Sequence, residues 1–379
     1  MPDDNVGKKS QQRLYDEVIT RGLCTLCGAC VGRCPYFQVN PLRGTVQMID
    51  PCDLREGQCY ECCPRTATDI DALYQGIFGI SFEEAHLGIG IVRDIFLARS
   101  ADPEILRKGQ DGGVVTTLLW TAMSEGIIDG AVETKMSEDK SPQGFLARNR
   151  GELLQCAGNS YQPGAALEAL NRIPSDSKEK VAVVGLPCQV AAVSKMKADP
   201  SRNRVDIHNV KLVVGLFCGW AFSPGVFHQY LKGNFDLSQV EKFDIPHHPA
   251  HSFDVYTAKG KESIELDEVR GLINPACGYC IDMTSQFADI SVGSGRAKFM
   301  GWNTVIVRTE NGANLIEIAK RKGIIETQPI QEESVTNLKR AALNKMKRAI
   351  VSITEQAGSS EDLDYLVIKT MLRDKLHDK

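Results

Sequence analysis

Val181-Ala182-Val183-Val184-Gly185-Leu186-Pro187-Cys188 is followed, thirty residues on, by Lys211-Leu212-Val213-Val214-Gly215-Leu216-Phe217-Cys218. The two octets share one grammar: an unbroken Val-rich run, a glycine, and a cysteine at the end. A continuous apolar run reads as a strand buried on both faces. Two such runs separated by a helix, from about Gln189 to Lys197, read as parallel strands of a βαβ unit, with a further helix expected after Pro224. Parallel strands present both cysteines at the carboxyl edge of the sheet, where open α/β sheets bind ligands. Two cysteines at matched strand ends suggest one shared metal centre rather than two packed thiols.

The pair that would complete such a centre is Cys277-Gly278-Tyr279-Cys280. Alone it reads equally as a redox dithiol or half a zinc site. Joined to Cys188 and Cys218 it supplies four thiolates, and a [4Fe-4S] cluster is the use that suits the set best, against zinc or structural thiols.

The chain holds 13 cysteines, and eight of them lie between Cys24 and Cys63. The run Cys24-x2-Cys27-x2-Cys30-x3-Cys34-Pro35 is the bacterial ferredoxin pattern, in which three close thiolates hold one cluster and the fourth crosses to another. Zinc sites use two cysteine pairs and a longer spacer. The second half, Cys52-x6-Cys59-x2-Cys62-Cys63-Pro64, keeps the count and loses the spacing. Adjacent Cys62 and Cys63 fit two neighbouring clusters better than one. The expected partition is Cys24, Cys27, Cys30 and Cys63 on one cluster, and Cys34, Cys52, Cys59 and Cys62 on the other. Cys156 is read as a free, buried thiol outside every site.

Around these groups the chain reads as α/β. Gln110-Asp111-Gly112-Gly113 opens a helix-length apolar segment, Val114 to Glu125, closed by Gly126 and followed by a strand-like run from Ile127 to Val132. Free N–H groups at such a helix start make an anion seat, although a flexible loop explains the glycines as well. Gly88-Ile89-Gly90 lacks the third glycine of a dinucleotide fingerprint. Pro246-His247-His248-Pro249-Ala250-His251 reads as a loop, not a metal site, because no carboxylate or cysteine accompanies it. The segment from about Glu332 is charged and helix-prone. Its apolar stripe of Leu338, Ala341, Ala342, Met346, Ile350 and Ile353 suits packing on its own domain or on another subunit, and Ser359-Ser360-Glu361-Asp362 reads as a further helix start.

The 379 residues, 42% hydrophobic and 24% charged, suit a soluble protein of two or three domains rather than a disordered chain. A pI near 6.0 gives no reason to expect nucleic acid as a partner. The longest uncharged stretch, Leu212 to Leu231, contains Gly, Ser, Pro, His and Gln, and no integral membrane segment is expected. The first residues, MPDDNVGKKSQQ, have no apolar core of a signal peptide, so a cytoplasmic location is expected.

Five motifs occur in order: KGQDGGVVTTLL (Lys108 to Leu119), GIIDGAV (Gly126 to Val132), GLPCQV (Gly185 to Val190), CGYCIDMTSQFADISVG (Cys277 to Gly293) and GWNTVIVRTENG (Gly301 to Gly312). Together they resemble the coenzyme F420 hydrogenase/dehydrogenase beta-subunit family over roughly Phe96 to Thr309, more than half the chain. The resemblance implies bound FAD beside a [4Fe-4S] cluster, in agreement with the separate count of Cys188, Cys218, Cys277 and Cys280. It implies flavin contacts from Lys108, Gln110, Asp111, Gly112, Gly113, Asn159 and Ser160. Arg296 and Lys298 suit either an acidic cofactor tail or a solvated loop. The N-terminal cysteines resemble the ferredoxin portion fused to some members.

The expected architecture is therefore α/β: a ferredoxin-like two-cluster module over residues 1–75, a flavin- and cluster-binding domain with a partly parallel sheet over 90–330, and a helical tail over 331–379. The expected chemistry is hydride exchange between a deazaflavin coenzyme and FAD. Single electrons then pass through three [4Fe-4S] clusters to or from a partner redox subunit of the hydrogenase, formate dehydrogenase or heterodisulfide-reductase type. A flavin joins a two-electron carrier to one-electron centres, and this chemistry demands no acid–base residue. NAD(P)H or ferredoxin as donor disturbs none of the motifs, and a flavin-less electron conduit is the reading from a different class.

Overall fold

The computed structural model describes residues 9–40, 43–200, 206–246, 250–295, 297–357 and 366–367. In chain order, β1 (Phe37–Asn40) and β2 (Thr45–Met48) form a hairpin among the N-terminal cysteines, and β3 (Thr68–Asp69) precedes the helix Ile70–Phe78. There follow β4 (Asp94–Ser100), β5 (Gly130–Met136), β6 (Pro142–Ala147), β7 (Val181–Gly185) and β8 (Val210–Leu216). A separate antiparallel sheet is made by β9 (Val240–Asp244), β10 (Ser252–Thr257) and β11 (Gly260–Glu265). The chain then returns through β12 (Ile290–Ser294), β13 (Asn303–Val307) and β14 (Ile325–Pro329), and β15 (Leu366–Val367) pairs with β3.

The main sheet has eight strands in the order β14-β4-β13-β12-β8-β7-β5-β6. Its centre, β12-β8-β7-β5, is parallel, and antiparallel strands flank it on both sides. This is the partly parallel α/β sheet expected from the two octets. In register, Gly185 of β7 stands beside Gly215 of β8, so Cys188 and Cys218 leave the same edge. Alternate residues of the Val runs enter different cores. Val181, Val183 and Val213 pack with Tyr74, Val190 and Met346, whereas Ala182, Val184, Leu212 and Val214 pack with Leu118, Val305 and Leu315. Covering both faces is what the continuous apolar runs require.

Two boundaries differ from the sequence reading. The helix after β7 starts at Pro187, earlier than Gln189, because proline suits the first helical position and its missing N–H costs nothing there. Ile127 and Ile128 belong to no strand. Their N–H groups bind Ala122 O and close the preceding helix, Val114–Ser124.

The tail helix Glu332–Ala357 packs on its own chain, one of the two arrangements its stripe allows. Leu338 and Ala342 join Ile89 and Ile306, while Met346, Ile350 and Ile353 join Tyr74, Phe82 and Phe287. The helix start expected at Ser359 lies outside the described residues, as do His247, His248 and Arg296. His251 is paired with Asp267. Among the described residues no helix is long and apolar enough to cross a membrane.

Glu133 on β5 is buried, with Oε1 unpartnered, and burial pushes its carboxyl up to about 8. Cys156 stands against it, apart from all other cysteines, its thiol raised first by burial and then by Glu133. The unfolded chain releases the Glu133 proton near the ordinary carboxylate value, before the folded chain does. Stability therefore falls as pH rises from about 4.5 to about 8. Glu133→Gln is expected to raise the thermal midpoint above pH 7, by an effect on the order of a few kcal/mol, and to change little at pH 5. Melting curves across that range check this.

Candidate functional site

The N-terminal cysteines fall on short turns with almost no regular structure, and side chains of the α/β body hold those turns. Asn171 Nδ2 donates to Gly28 O, Ala29 O and Val31 O at 3.3, 2.8 and 2.8 Å. Lys195, on the helix after β7, donates to Cys63 O (2.8 Å), Ala67 O (2.9 Å) and the hydroxyls of Thr66 and Thr68. Gly28 has φ +86°, and a Cβ there would stand 2.4 Å from Ala165 O, so only glycine lets this turn approach the body.

The result is a cavity lined by the thiol-bearing residues Cys24, Cys27, Cys30 and Cys63, with Leu14, Val18, Val46 and Arg65 around them. This is the first set of the expected partition. Cys34 and Cys59 meet through their thiols, with Cys30 and Cys62 as neighbours. Cys52 stands on the adjoining loop, and its N–H donates to Gln11 Oε1 at 2.6 Å.

The third group assembles at the sheet edge. Cys188 lies in the first turn of its helix, Cys218 follows β8, Cys277 lies within the 3-10 turn Pro275–Tyr279, and Cys280 directly follows it. Cys218 is surrounded by Cys277, Cys188 and Cys280. The Ala221 N–H donates to Cys277 Sγ at 3.4 Å.

Burial is the main cause that raises Cys27, Cys62, Cys63 and Cys188. It pushes Cys27 well above the usual thiol range, helped by Cys63 and Cys188, and carries Cys62 to about 11 and Cys63 and Cys188 to about 12. Bare thiolates are thus disfavoured in these pockets, and a cationic core bound there would stabilise them as thiolates. Among the described residues no three His, Cys, Asp or Glu side chains gather tightly enough for a single metal ion. A four-iron cluster asks for a different arrangement, one thiolate at each iron corner. The all-cysteine donor set around the first cavity fits that demand.

The groups are not isolated. Cys30 neighbours Cys62 of the second set, and Cys27 neighbours Cys188 of the third. Thr25 hydrogen-bonds Cys188, and Asn274 Nδ2 donates to Cys24 O at 3.5 Å. Arg65 lies at this junction and donates to Tyr279 O (2.9 Å) and Ala276 O (2.8 Å), on either side of Cys277.

The Gln110–Gly113 loop lies between β4 and β13. A Cβ on Gly112 would meet Ala98 O at 2.8 Å and the Asn303 N and Oδ1 at 2.9 Å, so the loop passes there only as glycine. Asn303 Oδ1 accepts from Val114 N at 3.2 Å, and a side chain therefore fills part of the anion seat expected at that helix start. Gln110 Nε2 donates to Asp244 Oδ1 (2.7 Å), while its buried Oε1 has no partner. Tyr161 Oη meets the same carboxylate at 3.3 Å and accepts from Ile245 N at 2.9 Å.

Tyr161 adopts φ 54°, a strained value for a bulky residue. Asn159 Oδ1, accepting from Tyr161 N, and Ser160 Oγ, donating to Gln162 O, shape this turn. Gln162 is 3% exposed and neither amide atom has a partner. Orphaned buried amides beside a glycine loop are the observation by which this place fits a polar planar cofactor. Lys108 is exposed at a helix end, and Lys298 is exposed and paired with Glu333.

The two places adjoin. Phe222 N donates to Tyr161 O (2.8 Å), and the neighbouring Ala221 N is the donor to Cys277 Sγ. Asn171, Lys195 and Arg65 carry much of this arrangement, yet no spacing in the sequence marks them.

Comparison with known proteins bears on this geometry. Residues 95–171 match the profile described as coenzyme F420 hydrogenase/dehydrogenase, beta subunit N-term, and residues 178–333 match the companion profile for the C terminus of the same beta subunit. The chain is 34% identical to the coenzyme F420 hydrogenase subunit beta of Methanothermobacter thermautotrophicus, over 64% of this chain and 87% of that protein. It is 32% identical to the coenzyme F420-dependent sulfite reductase of Methanocaldococcus jannaschii, over 86% of this chain, and spans half the length of that protein. A chain in the structure of the F420-reducing [NiFe] hydrogenase complex from Methanosarcina barkeri superposes with a TM-score of 0.64 at 32% identity, covering 71% of this chain and 93% of that one.

Proposed function

The chain belongs to the coenzyme F420 hydrogenase/dehydrogenase beta-subunit family, and from that premise we propose that it couples hydride exchange with a deazaflavin coenzyme to single-electron transfer towards a partner redox subunit. Its relatives are oxidoreductases by name: a hydrogenase subunit, a sulfite reductase and, in Methanosarcina mazei, an F420H2 dehydrogenase subunit. In this reading bound FAD would supply the conversion between a two-electron hydride and the single electrons that [4Fe-4S] clusters carry.

The chain's own residues do the rest. Gln110, Gln162 and the Tyr161 turn orient the flavin beside Asp244, and Gly112 lets the loop that carries Gln110 pass against Ala98 and Asn303. Cys188, Cys218, Cys277 and Cys280 hold the adjoining cluster. Cys24, Cys27, Cys30 and Cys63 hold the next, and Cys34, Cys52, Cys59 and Cys62 the outermost. The observation that carries the proposal is the unbroken sequence of neighbours: Tyr161 to Phe222 and Ala221, Ala221 to Cys277, Cys188 to Cys27, and Cys30 to Cys62.

The test is spectroscopic. Protein purified without oxygen is mixed in separate cuvettes with the reduced deazaflavin coenzyme and with NADPH. Rapid bleaching of flavin and cluster absorbance by the deazaflavin alone is the expected result. Bleaching by NADPH alone replaces the donor and keeps the coupling. A spectrum with no flavin band overturns the hydride step and leaves an electron conduit.

A further inference from the structure

Lys345 lies on the tail helix, beyond the residues matched by the family profile. It is 6% exposed, and its Nζ donates to Cys218 O at 2.7 Å and Asp282 O at 2.8 Å. Both acceptors are neutral backbone carbonyls. The Asp282 carboxylate is engaged elsewhere, accepting from Thr284 N (2.9 Å) and Gln286 N (2.8 Å). A buried ammonium is costly unless negative charge faces it. Besides Asp282, the groups that face this one are Cys280, Cys218 and Cys277.

Resting on the reading that these cysteines hold a [4Fe-4S] cluster, we propose that Lys345 is a positioning residue that sets the reduction potential of that cluster. Its two hydrogen bonds staple the segment after β8 to the segment after Cys280, fixing two of the four ligands relative to each other. Its charge sits where the added electron increases the negative charge of the cluster, so it favours the reduced form. Net charge and hydrogen bonding near the sulfurs are established levers on cluster potential, and a unit charge acts strongly in a buried site. Reduction here adds one electron and makes or breaks no bond. The tail helix thereby becomes part of the redox centre.

The experiment compares the anaerobic full-length holoprotein with Lys345→Met and Lys345→Arg. Iron per chain, thermal midpoint and an EPR-monitored redox titration are measured for each. The step belonging to this cluster is the one absent from the Cys277→Ser/Cys280→Ser protein. Lys345→Met is expected to keep its iron and to lower the reduced-to-oxidised ratio of that step at least tenfold at fixed ambient potential, which is 59 mV for one electron. The other steps stay in place, and Lys345→Arg returns the step towards the wild-type position. An unmoved step with full iron overturns the inference and leaves the cluster reading standing. If Lys345→Met sheds iron, Lys345→Gln, which keeps a donor without the charge, makes the same comparison. Iron loss in both assigns the residue to assembly alone and overturns tuning. If the double serine protein loses neither iron nor any step, the cluster reading itself has failed.

Discussion

Serine at both Cys277 and Cys280 is expected to lower the iron content by about four atoms per chain and to stop electrons from the flavin reaching the N-terminal clusters. Cys277 lies within a partly exposed 3-10 turn and Cys280 directly after it, so their replacement opens no large cavity. Serine oxygen can still accept the Ala221 N–H that Cys277 Sγ accepts in the wild type. The loss is thus one of ligands. The proposed flavin place at Gln110, Gln162 and Tyr161 should remain, so the deazaflavin is expected still to bleach the flavin band. Reduction of the remaining clusters, followed by EPR after rapid mixing, should slow by orders of magnitude, because electron transfer loses its intermediate site. Cys156→Ser is the control, since that thiol stands apart from every group, and it should change neither iron nor rate. Unchanged iron in the double serine protein would return these cysteines to a structural role.

The reach of the sequence ends where contacts become long-range. The parallel centre of the sheet is legible because burial of both faces forces continuous Val runs, and a repeated octet carries its own register. The close spacing marks Cys24, Cys27 and Cys30 as a group, the expected partition adds Cys63, and one cavity is lined by those four residues. The antiparallel sheet β9–β11 is not, since β11 is mostly exposed and charged and shows little alternation. Arg65, Asn171, Lys195 and Lys345 bond partners more than 100 residues away, and a buried lysine looks like any surface lysine in a charged helix. The docking of the tail escapes the sequence for a related reason. An apolar stripe says that a helix is covered without saying by what. At the proposed flavin place the sequence marks the glycines, whereas Gln162 becomes visible only through its burial and its missing partners.

Asn171→Leu is expected to cost several kcal/mol at the first cluster and to release its iron while the α/β sheet still folds. The Asn171 amide holds three successive parts of the turn that carries Cys27 and Cys30, through Gly28 O, Ala29 O and Val31 O. Gly28 O keeps the Val31 N–H as donor at 3.1 Å, so the loss falls on Ala29 O and Val31 O, and each buried acceptor left without a donor costs about 1–3 kcal/mol. Asn171 Oδ1 also accepts from Arg33 Nη2 at 3.4 Å, a weaker contact. Asn171→Asp separates the two roles, because it keeps the acceptor for Arg33 and turns the donor into a second acceptor facing three carbonyls. If the donor bonds carry the effect, the Asp protein should lose iron at least as readily as the Leu protein. Iron assay and far-ultraviolet melting on the same samples decide it. Iron lost with the sheet intact is the expected pattern, since Asn171 is the last residue of the short helix Leu167–Asn171 and lies outside every strand of the sheet. Full iron and an unchanged melt in both proteins would mean that Lys195 and the Gly28 contact hold the turn without it.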